Sequence, residues 1–244
     1  KKALITGASR GIGKAIAQTF AKAGFDLYLT CHTRMELLET LAKELETQYG
    51  VACECFCFPI SDEKAVRKMF ERIQSLDVLI NNAQASASGV PIAEHTTEQF
   101  NLAMYSGLYA AFYYMKACYP YLKETHGTVI NFASGAGLFG NYGQCSYAAA
   151  KEGIRGMSRV VATEWAKDKI NVNVICPLAW TAQLERFEKE YPDAFKANVK
   201  MPPAGHYGDP ETEIGSVCVH LASPDMKYLT GETLTLEGGM GLRP

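Results

Sequence analysis

Eight residues near the start of the chain, Thr6-Gly7-Ala8-Ser9-Arg10-Gly11-Ile12-Gly13, restrict its fold more than any other feature. They follow the short apolar run Leu4-Ile5. They lead into Ile12, Ala15, Ile16, Thr19, Phe20 and Ala23, which recur at helical spacing up to a stop at Gly24. A strand that passes through a glycine-rich turn into a helix leaves the first helical N–H groups free to face an anion. Gly7 permits the tight turn, Gly11 lets a pyrophosphate approach the backbone, and Gly13 lets the helix pack closely on the sheet. A nucleoside triphosphate loop is the near rival, because Gly13-Lys14 resembles the end of GxxxxGK[ST]. That motif needs a Gly at Ala8 and a hydroxyl residue at Ala15, and neither is present.

Strand-like and helix-like patterns alternate along the rest of the 244 residues. Further strands are predicted at 25–29, 51–58, 77–80, 128–132, 170–175 and 233–236. Helices are predicted at 36–49, from the Asp62 cap to about 74, at 97–123, at 146–167 and at 211–221, with short helices at 181–199. Strands separated by helices imply right-handed crossovers and a parallel sheet covered on both faces. No repeat or linker interrupts the series. The expectation is one α/β, doubly wound domain over residues 1–244, with a mostly parallel seven-stranded sheet and a substrate lid around 178–207.

Charge and composition exclude several functions. With 24 basic and 26 acidic residues, a net charge of −2 offers no surplus to drive counterion release from nucleic acid. Residues 102–115 carry no charge, but the run is shorter than the roughly 20 residues of a membrane span. The chain goes from Lys1-Lys2 straight into a strand, so no signal peptide and a cytoplasmic location are expected. Eight cysteines include Cys53-Glu54-Cys55-Phe56-Cys57, which invites a metal reading. Alternation puts these three cysteines on one strand face, with Glu54, Phe56 and Phe58 on the other. Without a CxxC or CxxxH partner, they are expected to be small buried hydrophobes rather than ligands, with no metal bound.

A second constellation lies further on. Tyr147 and Lys151 stand at i and i+4, on one face of a helix. Ser134 follows the fifth strand, at the carboxyl end where open α/β sheets bind ligands. A free tyrosine has a pKa of about 10 and is a poor acid–base at neutral pH. A fixed ammonium within about 4–6 Å favours the phenolate.

These motifs together resemble the short-chain dehydrogenase/reductase family, and the resemblance spans almost the whole chain. It rests on TGASRGIG at residues 6–13, Asn81-Asn82-Ala83, Ser134, Tyr147-xxx-Lys151, and an ending that runs from Leu229-Thr230-Gly231-Glu232 to Glu237-Gly238-Gly239. It implies a Rossmann-type fold and an NAD(P)-dependent oxidoreductase acting on CH–OH and C=O groups. The roles it implies are general acid–base for Tyr147 and substrate orientation for Ser134. Lys151 is implied to bind the nicotinamide ribose and to depress the Tyr147 pKa. Dinucleotide contacts are implied for Gly7, Ser9, Arg10, Gly11, Ile12, Gly13, Asn82, Ala83, Tyr147, Lys151 and Thr181.

Four positions depart from the family pattern. The motif NNAG reads Asn81-Asn82-Ala83-Gln84, which brings a side chain where backbone normally lines the cofactor. Pro59 stands where the family has an Asp near adenine, and Leu178 where it has a Gly. Gly107 aligns with an Asn that in the family holds a water linking Lys151 to solvent. Its missing side chain is expected to leave room for ordered water or a neighbouring polar group. Gly107→Asn should then leave activity the same or higher if the site still has room, whereas a large loss would mean that Gly107 is needed for packing.

No acid lies in Thr30-Cys31-His32-Thr33-Arg34, at the end of the second strand, where NAD-preferring relatives usually carry one. Arg10 with His32 or Arg34 could clamp a 2′-phosphate, so NADP(H) is expected over NAD(H). Trp180, Leu184, Phe187, Tyr191, Phe195, Met201 and Tyr207, with Leu138, Phe139 and Tyr142, suit a bulky apolar ketone or secondary alcohol as small-molecule substrate. A 3-oxoacyl-thioester reductase is the alternative enzyme, and a catalytically weak dinucleotide sensor or scaffold the alternative without chemistry. Tyr105, Tyr109, Phe112, Tyr113, Tyr114 and Tyr121 give the helix at 97–123 more aromatic surface than one sheet face covers. A homo-oligomer, a dimer or more readily a tetramer, is expected.

Overall fold

Alternate strand residues serve two separate cores. Ala3, Ile5, Leu27, Leu29, Val78, Ile80 and Ile130 enter one, and Leu4, Tyr28, Leu79 and Val129 the other. Period-two alternation produces this division, because both faces of the sheet are covered by helices. The computed structural model describes residues 1–241, apart from the side chains of residues 183, 194, 197 and 198. The last three residues of the expected 1–244 domain lie outside the described ones.

The strands are β1 (Lys2–Ile5), β2 (Asp26–Cys31), β3 (Cys53–Cys57), β4 (Val78–Asn81), β5 (Thr128–Phe132), β6 (Asn171–Pro177) and β7 (Thr233–Leu236). They form one parallel sheet in the order β3-β2-β1-β4-β5-β6-β7. That is the expected doubly wound sheet. The strand order reverses between β1 and β4, which opens a crevice at their carboxyl ends.

Helices α1 (Gly11–Lys22) and α2 (Met35–Tyr49) pack on one face, where Ile16, Phe20, Leu38 and Leu41 are buried. On the other lie α3 (Glu63–Phe70), α4 (Thr97–Ala103), α5 (Ala110–Thr125) and, after the short α6 (Gly135–Phe139), α7 (Cys145–Trp165). Val66, Phe70, Tyr114, Cys118 and Ala162 fill this second core. Two short helices, α8 (Ala182–Glu190) and α9 (Pro192–Asn198), follow β6, and α10 (Ser216–Leu221) returns to the first face.

Three elements differ from the sequence expectation. Helix α3 stops at Phe70 rather than near 74, because Arg72 and Ile73 turn back to bond the Met69 and Phe70 carbonyls and drop Ile73 and Leu76 into the core. The helix expected at 97–123 carries a π-helical turn, Met104–Tyr109, between α4 and α5. Another π turn, Pro210–Gly215, precedes α10, with Gly215 pressed on Thr19. Such bulges gather at functional sites.

Cys31, Cys118, Cys176 and Cys218 are buried, but the burial expected of the three cysteines on β3 fails. Cys53 and Cys55 do face the first core, but they are half-buried, and Cys57 is exposed. The reason is position: β3 pairs with β2 alone and forms the edge of the sheet.

Candidate active site

The glycine turn is held from both sides. Ala8 N–H bonds the Thr30 carbonyl at 3.0 Å, and the Thr6 hydroxyl accepts from the Asn82 and Ala83 N–H groups at 3.0 and 3.1 Å. Asn82 Nδ2 donates to the Thr6 carbonyl at 2.9 Å. Asn82 and Ala83 therefore clamp β4 to the turn. A Cβ at Gly13 would strike the Gly7 carbonyl and come within 2.7 Å of Asn82 Nδ2, so no larger residue fits there. Helix α1 has no side-chain cap at Arg10, and the space in front of Gly11 is open. Uncapped first-turn N–H groups beside open space fit the phosphates of a dinucleotide. Ser9 and Ile12 flank this turn, half-buried.

Arg10, His32 and Arg34 are all exposed at the ends of the turn and of β2. Among the described residues none of the three takes part in an ion pair. Pro59 is exposed beyond β3.

At the end of β5, Ser134 caps α6 and accepts from the Ala136 N–H at 3.1 Å. Its hydroxyl also bonds Tyr147. Lys151 Nζ, buried, donates to the Phe132 carbonyl at 2.6 Å and lies 5.5 Å from the centre of the Tyr147 ring. The spacing argument thus brings Ser134, Tyr147 and Lys151 together. Burial pulls the Lys151 pKa down to about 8. The Tyr147 pKa moves the other way from the sequence expectation: burial raises it, although the Ser134 hydrogen bond opposes the rise. Desolvation of the phenol dominates, and the Lys151 ammonium is directed at the Phe132 carbonyl. Cys176, on β6, favours the protonated form of each through its negative charge when ionised.

Two features under the site escaped the sequence reading. Asn81 Nδ2 donates to Asn131 Oδ1 at 2.8 Å, and Asn131 Nδ2 to Ser158 Oγ at 2.8 Å, in a buried chain that locks β4, β5 and α7 together. Asn131, inside the apolar run Val129-Ile130-Asn131-Phe132, was the available signal. A buried polar side chain needs a partner, and this one fixes where α7 sits on β5.

The other feature joins two departures into one. The Gln84 side chain reaches the Ala103 carbonyl through Nε2 at 3.3 Å. A Cβ at Gly107 would lie 2.7 Å from the Gln84 Cδ and Nε2 and 2.9 Å from Oε1. The space left by Gly107 is therefore filled by the Gln84 carboxamide, and Gln84 is committed to the π turn instead of standing free at the crevice. Ser106, next to Gly107, bonds both the Ala85 N–H and carbonyl, at 3.0 and 2.9 Å. A neighbouring polar group does fill the space at 107, one of the two expected occupants, and with it in place there is no room for an added side chain.

Beyond β6, Thr181 caps α8 by accepting from the Leu184 N–H at 3.3 Å. The segment that follows is closed at its base by Trp180 N–H on the Gly208 carbonyl, at 2.9 Å, and Gly208 N–H on the Leu178 carbonyl, at 3.0 Å. Trp180 packs edge-on against Phe195 and Tyr207, and Phe187 packs against Tyr191 and Phe195. Tyr142 and Met201 are exposed. No helix among the described residues is long and apolar enough to cross a membrane.

The chain is similar to known proteins over nearly its whole length. The family profile described as enoyl-(acyl carrier protein) reductase matches residues 7–241. A 12α-hydroxysteroid dehydrogenase from a Clostridium species is 59% identical, over 100% of this chain and 98% of its own. The 3-oxoacyl-[acyl-carrier-protein] reductase of Escherichia coli is 33% identical, over 98% and 97%. A crystal structure described as a short-chain alcohol dehydrogenase from Sinorhizobium meliloti superposes with a TM-score of 0.89 at 30% identity, covering 98% of this chain and 96% of that one. An NADPH-dependent reductase involved in bacilysin biosynthesis shares the fold at a TM-score of 0.92 and 21% identity, over 100% and 99%.

Proposed function

The chain belongs to the short-chain dehydrogenase/reductase family, and we propose that it interconverts the 12α-hydroxyl and the 12-ketone of a steroid with NADP(H). It is an enzyme, an oxidoreductase that interconverts a ketone and a secondary alcohol with a nicotinamide dinucleotide, so the non-catalytic sensor or scaffold is set aside. The observation that carries the steroid reading is the 59% identity over the whole chain to a 12α-hydroxysteroid dehydrogenase. The 3-oxoacyl-thioester alternative rests on relatives at 33%. The aromatic segment 178–207 supports the steroid reading further, as a lid of the apolar kind that a steroid skeleton requires.

In this reading Gly7, Ser9, Arg10, Gly11, Ile12 and Gly13 hold the dinucleotide phosphates, with Arg10, His32 and Arg34 around a 2′-phosphate. Ala83, Thr181 and Lys151 lie along the nicotinamide end, while Asn82 shapes the turn. When bound, the dinucleotide supplies or accepts the hydride. Tyr147 gives its phenolic proton to the ketone oxygen in reduction and takes the hydroxyl proton in oxidation. Ser134 holds that same oxygen by hydrogen bonding, and the buried Lys151 ammonium stabilises the phenolate that reduction leaves behind. The free thiols fit a reducing compartment, the cytoplasm.

Rates measured with NADP(H) and NAD(H) in parallel test the assignment. A steroid with a 12α-hydroxyl or 12-ketone is expected to exceed its positional isomers and a 3-oxoacyl thioester in kcat/KM by about 10²-fold, through differential binding of the oxygen. Equal rates across the steroid positions, or faster turnover of the thioester, would refute the substrate class. Faster turnover with NAD(H) would refute the cofactor preference.

The same reading includes a homo-oligomer. Leu102, Tyr105, Tyr109 and Phe112 leave an exposed apolar stripe on one helical side, while Tyr114 is buried and Tyr121 bonds the Phe70 carbonyl. Contiguous exposed apolar surface of this kind marks an interface. Light scattering at micromolar concentration is expected to give a dimer or tetramer mass, and a uniform monomer would contradict it.

A further inference from the structure

Two of the cysteines that the catalytic reading leaves unused stand directly side by side. Cys31, the last residue of β2, and Cys57, the last of β3, are register partners on neighbouring parallel strands. Strands in a sheet run about 4.7–4.9 Å apart, inside the 4.4–6.8 Å Cα separation that a disulfide bridges. Register partners in a parallel pair project to the same face, and the two thiols interact directly. Cys57 is exposed and Cys31 is buried behind it. Both thiols also hold the loop that follows β2. Cys57 Sγ donates to the His32 carbonyl at 3.5 Å, and the Arg34 N–H acts on Cys31 in the direction that favours its thiolate.

We propose that Cys31 and Cys57 form a reversible disulfide that weakens dinucleotide binding by moving the His32–Arg34 loop. The oxidant is a low-molecular-weight disulfide. The exposed Cys57 thiolate attacks one sulfur of that disulfide, which forms a mixed disulfide and expels one small thiolate. The Cys31 sulfur then attacks the Cys57 sulfur, forms the Cys31–Cys57 bond and expels the second thiolate. Two electrons pass from the cysteine pair to the small disulfide, and the two cysteine protons end on the two small thiols. Burial pushes the Cys31 thiol up to about 12, which leaves the first attack to the exposed Cys57; Cys31 attacks second, where its position beside Cys57 offsets its small thiolate fraction. Bond formation draws the sulfurs to about 2.05 Å. Cys57 is then lost as a donor to the His32 carbonyl, and Cys31 shifts under the Arg34 N–H.

The modification stands on the thiol geometry, and its effect on binding rests on the proposed placing of the 2′-phosphate at His32 and Arg34. Treating the full chain with oxidised glutathione is expected to lower its mass by two hydrogens and to give a peptide linked through Cys31 and Cys57. Affinity for NADPH should fall at least tenfold and recover with dithiothreitol. Cys57→Ser should bind NADPH normally and show neither change, and Cys55→Ser should show both. Glutathione retained on Cys57, or a link through Cys55, would overturn the pair. A linked protein with unchanged NADPH affinity would overturn its effect on binding. Replacing His32 and Arg34 together by Ala separates the two layers: if that leaves NADPH affinity intact, the 2′-phosphate reading at this loop fails, while the peptide map still decides the disulfide.

Discussion

Replacing Tyr147 by Phe is expected to lower kcat for ketone reduction and for alcohol oxidation by about 10²- to 10⁴-fold, the usual worth of a positioned acid–base. The ring stays, and with it the packing beside Lys151 at 5.5 Å, so dinucleotide affinity should be close to that of the parent chain. The direction of the pKa shifts adds a pH signature. Burial holds the phenol protonated above its ordinary range, which favours the acid needed for reduction. Oxidation needs the phenolate, so its rate should climb with pH in the parent, and the Tyr147→Phe variant should lose that climb. Lys151, pulled down to about 8, is a cation below that pH and loses its charge above it, which weakens support for the phenolate as the pH rises. Near-parental kcat in the Tyr147→Phe variant, with normal dinucleotide binding, would show that another group moves the proton.

Why that site could be read from sequence, and its surroundings could not, follows from the distance over which each part is specified. Tyr147 and Lys151 are four residues apart on one helix, so their shared face is a matter of helical pitch. The glycine turn is likewise contiguous, and Gly13 is needed for a close approach, although to the Gly7 carbonyl and the Asn82 side chain rather than to a strand of the sheet. Strand and helix order follows from local periodicity, and the handedness rule then leaves few ways to assemble it. By contrast, the Asn81–Asn131–Ser158 chain joins residues from three elements, and no local pattern ties them. The half-buried state of the β3 cysteines depends on β3 being the edge, which is a property of strand order and not of alternation. The raised pKa of Tyr147 has the same origin. Spacing places an ammonium beside the phenol, but the degree of burial, which decides the sign, is set by α6, β5 and β6 closing around it.

Gly107 shows this limit most sharply, and it carries the second prediction. Taken separately, Gln84 and Gly107 are two unexplained residues. In the fold they are one unit: the glycine in the π turn makes the space, and the Gln84 carboxamide fills it, bonded to the Ala103 carbonyl. Gly in a helix interior costs about 1 kcal/mol relative to Ala, and this packing is what offsets it. Gly107→Asn is therefore expected to be harmful rather than neutral. The new side chain collides with the far end of a flexible one, so the fold survives while Gln84 is expelled from its bond. Overpacking of this kind costs about 1–3 kcal/mol, or a few degrees of Tm per kcal/mol in a chain of this size. The expelled carboxamide has the crevice beside β4 to enter. Misplacement of groups there by about 1 Å is enough to lower kcat/KM by about 10²-fold. Gln84→Gly alone leaves a void and also loses stability. Combining the two substitutions exchanges which residue supplies the amide, and most of the lost Tm and activity should return. The coupling between sites in such contact is about 0.5–3 kcal/mol, well above additivity error. If the losses in the double variant simply add, the carboxamide and the glycine are independent, and Gly107 is required by the π turn itself.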